Sequence, residues 1–316
     1  MADASIVFER HAYRPGDEVR GMLDMEIARE ISARSLVVRA IGDEAVKIST
    51  AGTGKRLFKV RTKFFDESLR LVVSAWPAGY AVGEGRRDRF VPGRYKFRFA
   101  YRIPTELPCS YFGINTDIGY RVEARVDVPW WPDVAAAREF VVLTRTGWNS
   151  SLGKKWARWS PTTPVRQDYF IAMREGMAYQ GEESPTVFES SHRPGQTGFI
   201  AEARKTVWSP GETLAGYIIV KNPERKRLKR LELHLEGKEY AWAAGHMSEF
   251  RRQESRSEAE MPEDPGNNPF PFRIRVPDDA LPTVAGSSSF YCWELAMTLK
   301  VHLGFEVKES IWLTVA

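Results

Sequence analysis

Hydrophobic and polar residues alternate with a period of two along much of this chain. Val19, Leu23, Met25 and Ile27 interleave with Glu18, Arg20, Asp24 and Glu26. Phe97, Phe99, Tyr101 and Ile103 interleave with Arg98, Ala100 and Arg102, and Leu231, Leu233 and Leu235 with Glu232, His234 and Glu236. Successive side chains of a strand point to opposite faces, so these runs predict strands with one face on a core. Packed antiparallel sheets need such half-buried strands. One stretch departs from this period. Val165, Tyr169, Met173 and Met177 recur every fourth residue, which predicts a short amphipathic helix over about 164–176.

The alternating segments occur twice. YRPGDEVRG at 13–21 returns as WSPGETLAG at 208–216, an offset of 195 that also joins Leu36 to Leu231, Gly42 to Gly237 and Glu44 to Glu239. At an offset of 173, Phe97, Phe99, Ile103 and Pro104 return as Phe270, Phe272, Val276 and Pro277, and Tyr120, Val122 and Val126 as Trp293, Leu295 and Leu299. Two copies in one order predict two similar domains in tandem, each burying its own core. The expected fold is all-β: two tandem immunoglobulin-like antiparallel β-sandwiches, at 1–145 and 197–316, with a connector at 146–196. The Pro15-Gly16 and Pro210-Gly211 pairs read as the turns of the first hairpin in each copy. Pro104 and Pro277 end the aromatic strands, because proline lacks the N–H a ladder uses.

With 43% hydrophobic and 28% charged residues the composition is that of a soluble globular chain. No run of 18 apolar residues exists, and the first residues carry no basic-then-apolar leader, so a cytoplasmic location is expected. Cys109 and Cys292 fall at non-equivalent points of the repeat, which predicts reduced, buried thiols rather than a disulfide in each domain. A net charge of +5 permits an anionic partner without requiring one.

Candidate chemistry is sparse. His11, His192, His234, His246 and His302 have no ligand spacing among themselves or with cysteine, so no metal or other cofactor is expected. Gly52, Gly54 and Lys55 imitate a phosphate loop but lack its first glycine and its Ser or Thr, and read as a turn. No catalytic residues are assigned and no enzyme is read.

Three basic stretches could meet an anionic partner. Lys59, Arg61 and Lys63 alternate with Phe58, Val60 and Phe64, so a strand would show the cations on one face; a solvated or lysine-protected edge strand is the favoured reading over a ligand site. Lys221, Arg225, Lys226, Arg227, Lys229 and Arg230 crowd a turn, where reversing Lys226 and Arg227 to glutamate is expected to spare stability. In the connector, Trp148, Lys154, Lys155, Trp156, Arg158 and Trp159 mix tryptophan with cations, suited to a membrane interface or to stacking on nucleic-acid bases, with tryptophans wedged between the domains and cations outward as the favoured reading.

The ordered residues Tyr13, Pro15, Gly16, Asp17, Val19 and Gly21, Gly42 closing a hydrophobic strand, the aromatic strand to Pro104, and Leu107, Pro108, Ser110, Tyr111 and Tyr120 resemble the arrestin family. Weaker versions stand at 208–216 and 270–282. Immunoglobulin-like or fibronectin-like tandem domains share the sandwich and remain the competing fold. The resemblance implies a non-enzymatic scaffold or adaptor in signalling. It would bind a protein segment, favouring acidic or phosphorylated ones, by a sheet edge or an interdomain concavity. It also places Arg10, His11 and Arg14, read as lying on the first strand, where the family takes phosphorylated peptides. With no tail after IWLTVA, a prokaryotic-type relative akin to sporulation-control proteins is expected. The alternative function is a peripheral membrane protein that binds anionic lipid. A cryptic hydrolase or carbohydrate-binding sandwich ranks below it, and nucleic acid is not expected as a partner.

Overall fold

The computed structural model of the chain describes residues 2–49, 56–73, 88–130, 133–143, 186–189, 196–203, 207–262 and 268–315. Among them the regular structure is strand throughout, apart from a single 3₁₀ turn at His302–Gly304. The predicted helix over about 164–176 and the tryptophan-rich stretch of the connector lie outside the described residues. Mutual contacts divide the chain into two compact units. One comprises Met1–Ala45, Val60–Phe112 and Thr116–Arg145; the other comprises Val46–Lys59, Gly113–Asn115 and Thr146–Ala316.

The first sandwich sets a four-stranded sheet against a larger one. The smaller sheet has the order β1 (Ala2–Phe8), β3 (Glu18–Ile27), β9 (Gly93–Arg102), β7 (Arg70–Val73). The larger has β2 (Ala12–Tyr13), β12 (Val134–Val142), β11 (Thr116–Asp127), β5 (Ser35–Ser49), β6 (Leu57–Ser68), with β10 (Tyr111–Phe112) paired to β11. A two-stranded ribbon of β4 (Ile31–Ala33) and β8 (Asp88–Phe90) completes it.

The second sandwich repeats this plan. Its smaller sheet runs β13 (Thr186–Glu189), β14 (Gly198–Ala203), β16 (Thr213–Lys221), β19 (Phe270–Arg275). Its larger sheet runs β15 (Val207–Trp208), β22 (Glu306–Val315), β21 (Ser289–Val301), β17 (Leu228–Ala243), β18 (His246–Ala259), with β20 (Val284–Ala285) on β21. The fold is therefore the expected pair of antiparallel β-sandwiches. Strand β13 falls inside the stretch read from sequence as connector.

The alternation is what makes the layers. Val19, Leu23, Met25 and Ile27 are all buried between the first pair of sheets, together with Phe97, Phe99, Ile103, Tyr120, Val122 and Val126. Leu214, Ile218, Val220, Leu231, Leu233, Leu235, Phe272, Trp293, Leu295 and Leu299 form the second core. Fully burying one such side chain contributes about 1.5–3 kcal/mol, so these faces dominate the folding energy.

The Pro-Gly pairs correct one expectation. They do not close a hairpin, because β2 and β3, like β15 and β16, belong to opposite sheets. Each pair turns the chain from one sheet to the other, with Gly16 at φ 90° and Gly211 at φ 76°, a region glycine enters without steric cost. The corner is pinned the same way twice. Asp17 N–H donates to Arg14 C=O and Ile103 N–H to Asp17 C=O, each at 2.9 Å; Glu212 N–H donates to Ser209 C=O at 3.1 Å and Val276 N–H to Glu212 C=O at 2.9 Å. The repeated prolines and acids of the sequence are the parts of this corner.

Candidate partner-binding surfaces

The cations near the amino terminus do not sit on the first strand. Arg10 and His11 lie between β1 and β2, and Arg14 follows β2, because the chain leaves the smaller sheet after Phe8 to reach β12. Arg10 stacks its guanidinium 5.0 Å from the Tyr13 ring centroid and lies 3.5 Å from Asp17. His11 is exposed and its carbonyl accepts a hydrogen bond from Val141 N–H at 2.9 Å.

Beside them is an open sheet edge, which the sequence pattern alone did not locate. Glu9 N–H donates to Arg20 C=O, so alternate residues of β1 address β3, while Ala4, Ile6 and Phe8 turn their N–H and C=O outward. Among the described residues no strand pairs with that outer edge. Single side chains serve it instead: Arg138 donates to the Ile6 carbonyl at 2.9 Å, and Ala4 N–H donates to Asp3 Oδ1 at 2.9 Å. The second sandwich differs at the same place. There β13 pairs with the corresponding edge of β14, from Ile200 to Ala203, and the residue corresponding to Arg138 is Ile311, which cannot donate. The available signal was parity, since Arg138 shares the strand face of the buried Phe140 and Val142.

Lys59, Arg61 and Lys63 are exposed on β6, an edge strand, with Phe58, Val60 and Phe64 half-buried on its other face. Arg61 reaches Asp43 at 2.7 Å and Lys63 reaches Asp66 at 2.7 Å, leaving Lys59 without an ion pair among the described residues.

Asp43 belongs to a cluster with a counterpart of opposite sign. It is nearly buried and holds both Arg61 and Arg121, the latter at 2.6 Å. At the repeat offsets, Asp43 becomes Lys238 and Arg121 becomes Glu294. Lys238 pairs with Glu294 and, at 3.3 Å, with Glu236, whose other oxygen takes Arg251 at 2.8 Å. Burial works against the Lys238 charge, but the hydrogen bond it donates to Glu294 and the charges of Glu294 and Glu236 prevail and raise its pKa.

The basic turn between β16 and β17 is an ordered structure. Asn222 Oδ1 accepts from Lys226 N–H and from Thr197 Oγ1, each at 2.9 Å, and its Nδ2 donates to Lys226 C=O at 2.7 Å. Glu224 accepts from Thr197 N–H at 2.8 Å and pairs with Lys226 at 2.8 Å. The Lys226 ammonium also lies 5.6 Å from the centroid of the exposed Phe305 ring. Reversing Lys226 would set two carboxylates together and remove this exposed pair, while the Asn222 bonds to the Lys226 backbone still hold the turn. Arg230 pairs with Glu232 and Lys221 is half-buried, whereas Arg225, Arg227 and Lys229 are exposed without an ion pair among the described residues.

The Lys226 contact, then the Thr197 N–H, holds the Glu224 carboxyl at about 2, below its ordinary 4.5. A lowered acid pKa contributes stability above 4.5 that fades as pH falls toward about 2. An NMR titration of the Glu224 carboxyl carbon is expected to show its midpoint near the lower value. A midpoint at or above 4.5 would dissolve the network.

Trp148, Lys154, Lys155, Trp156, Arg158 and Trp159 lie outside the described residues. Both cysteines are buried and free, and burial pushes the Cys109 thiol up to about 12 and that of Cys292 well above its ordinary value.

The decisive comparison concerns the first sandwich. Residues 4–149 match the family of the arrestin (or S-antigen) N-terminal domain. The match begins within β1 and ends beyond β12, so it takes in the open edge, Arg138 and the Pro15-Gly16 corner of this sandwich. A mouse protein, Arrestin domain-containing protein 4, is 28% identical over 156 residues. That similarity covers 46% of this chain and spans 36% of the mouse protein's length.

Proposed function

We propose that this chain is a non-enzymatic scaffold or adaptor that captures an extended segment of a partner protein along the outer edge of β1. The observation that carries this reading is the inequality of the two copies. The second sandwich completes its smaller sheet with β13, while the first covers the corresponding edge with Arg138 and Asp3. Edge addition draws its affinity from main-chain hydrogen bonds, so it needs no pocket and no reactive side chain. Two side-chain caps are easily exchanged for a strand, because each incoming N–H or C=O replaces a bond already being made. Once displaced from the Ile6 carbonyl, Arg138 is free to pair with a carboxylate or phosphate of the segment. Arg10, at the end of the same edge, favours the same sign of charge. Similarity to the arrestin N-terminal domain supports an adaptor over an enzyme.

Ala4→Pro tests this directly. The Ala4 N–H faces the open edge, not β3, so proline removes a donor for the guest strand while sparing the β1–β3 ladder. Peptides selected from a displayed random library on the intact chain should lose at least about tenfold in affinity for Ala4→Pro, near the 1.4 kcal/mol of a lost hydrogen bond. They should keep their affinity for a variant with Arg225, Arg227 and Lys229 changed to glutamine. Equal binding to Ala4→Pro would remove the edge as the capture site.

A further inference from the structure

We propose that the outer face of β9 in the first sandwich is a contact site for an anionic lipid surface, a role separate from the open edge of β1. The register with β3 places Arg94, Lys96, Arg98, Ala100 and Arg102 on one face, and the four basic residues are exposed. Alternate residues of a strand stand about 7 Å apart, so these like charges repel along the row.

The acids on the neighbouring strand, Glu18, Asp24 and Glu26 opposite Arg102, Lys96 and Arg94, neutralise the row only in part. Asp24 is held by the Arg94 fork at 2.8 and 2.5 Å, and Glu18 is held by Arg20 at 2.6 Å. Among the described residues Lys96, Arg98 and Arg102 have no ion pair.

The duplication serves as an internal control. The positions corresponding to 98, 100 and 102 are Pro271, Arg273 and Arg275, and Arg275 is paired with Asp278 at 2.7 Å. Along the row the second sandwich keeps two cations, Arg273 and Arg275, against four in the first, because Arg94 and Lys96 become Asn267 and Pro269, so the fold does not demand the full row. The cations lie side by side in the plane of a sheet instead of converging on one point. That arrangement matches the spread charge of a membrane better than a single bound anion or one acidic side chain. Each cation near such a surface adds about fivefold to partitioning, so the three without a counter-charge add about a hundredfold.

The experiment is sedimentation of the intact chain with phosphatidylcholine vesicles containing about one-third phosphatidylserine, beside pure phosphatidylcholine vesicles, at low and high salt. Binding is expected to the anionic vesicles alone, to weaken with salt, and to fall about a hundredfold when Lys96, Arg98 and Arg102 become glutamate. The same three positions changed to glutamine should show most of that loss without placing new acids beside Glu18 and Asp24. Ala4→Pro should leave it unchanged, which keeps this surface distinct from the β1 edge. Equal sedimentation of the wild-type chain and the glutamine variant would overturn the proposal, as would equal binding to both kinds of vesicle. Row-dependent binding of poly-glutamate without vesicle binding would assign the row to an acidic protein instead.

Discussion

Replacing Lys238 with methionine is expected to destabilise the second sandwich by about 3–5 kcal/mol, because it strands buried carboxylates without their cation. Lys238 is 15% exposed, and its partners Glu236 and Glu294 are 8% and 13% exposed. Arg251 still reaches Glu236 from the exposed side, so the loss falls mainly on Glu294. By contrast, Arg61→Met in the first sandwich removes a side chain that is 65% exposed, and Arg121 still holds Asp43. That change should cost no more than about 1 kcal/mol, as exposed pairs usually do. Urea unfolding of both variants measures the difference. Adding Glu294→Gln to Lys238→Met should recover much of the loss, because the uncompensated charge is removed with its partner. Equal, small effects for Lys238 and Arg61 would mean that water reaches the Lys238 cluster.

The second large effect is expected at Gly216. A Cβ there would lie 2.0 Å from the Glu202 carbonyl oxygen and 2.6 Å from the Phe272 ring. The carbonyl belongs to the β14 backbone, paired with β16 at Ala203 and Gly216, and cannot turn aside without opening the ladder. Gly216→Ala should therefore cost about 3 kcal/mol or more, at the upper end for overpacking. Its repeat partner Gly21 faces the same obstacle in milder form, 2.5 Å from the Phe99 ring and 2.6 Å from the Val7 carbonyl. Gly21→Ala should be the less damaging of the two. Thermal unfolding of both alanine variants decides the order, and a Gly216→Ala chain that melts with the wild type would refute the close approach.

Much of the architecture could be read before any coordinates. The period of two at Val19–Ile27 and Phe97–Ile103 marked strands because a side chain's face depends only on its parity. The repeated glycines and Pro-Gly pairs marked close approaches and corners, because those backbone shapes admit few other residues. The role of the corner was misread all the same. A Pro-Gly turn looks alike whether it joins neighbours in one sheet or crosses between two, and only pairing partners far along the chain distinguish these.

The binding surfaces were legible in part. The Lys59, Arg61 and Lys63 row follows from alternation alone, and it appears on β6 as expected. The turn at Lys221–Arg230 was recognisable as a dense run of charge, but not the division of its cations. Lys226 is committed to Glu224 of the same turn and to Phe305, which the fold delivers from elsewhere, while Arg225 and Arg227 remain exposed.

By itself the sequence determined the all-β class, the duplication and which face of most strands is buried, since these depend on local periodicity and on residue types that recur at constant spacing. The tertiary structure alone decided that β1 keeps an open edge where β14 receives β13, that Arg138 caps that edge, and that Asp43 and Lys238 centre clusters of opposite sign. Each depends on groups brought together from distant parts of the chain. Their energy comes from pairing and desolvation between those groups, which no local pattern encodes.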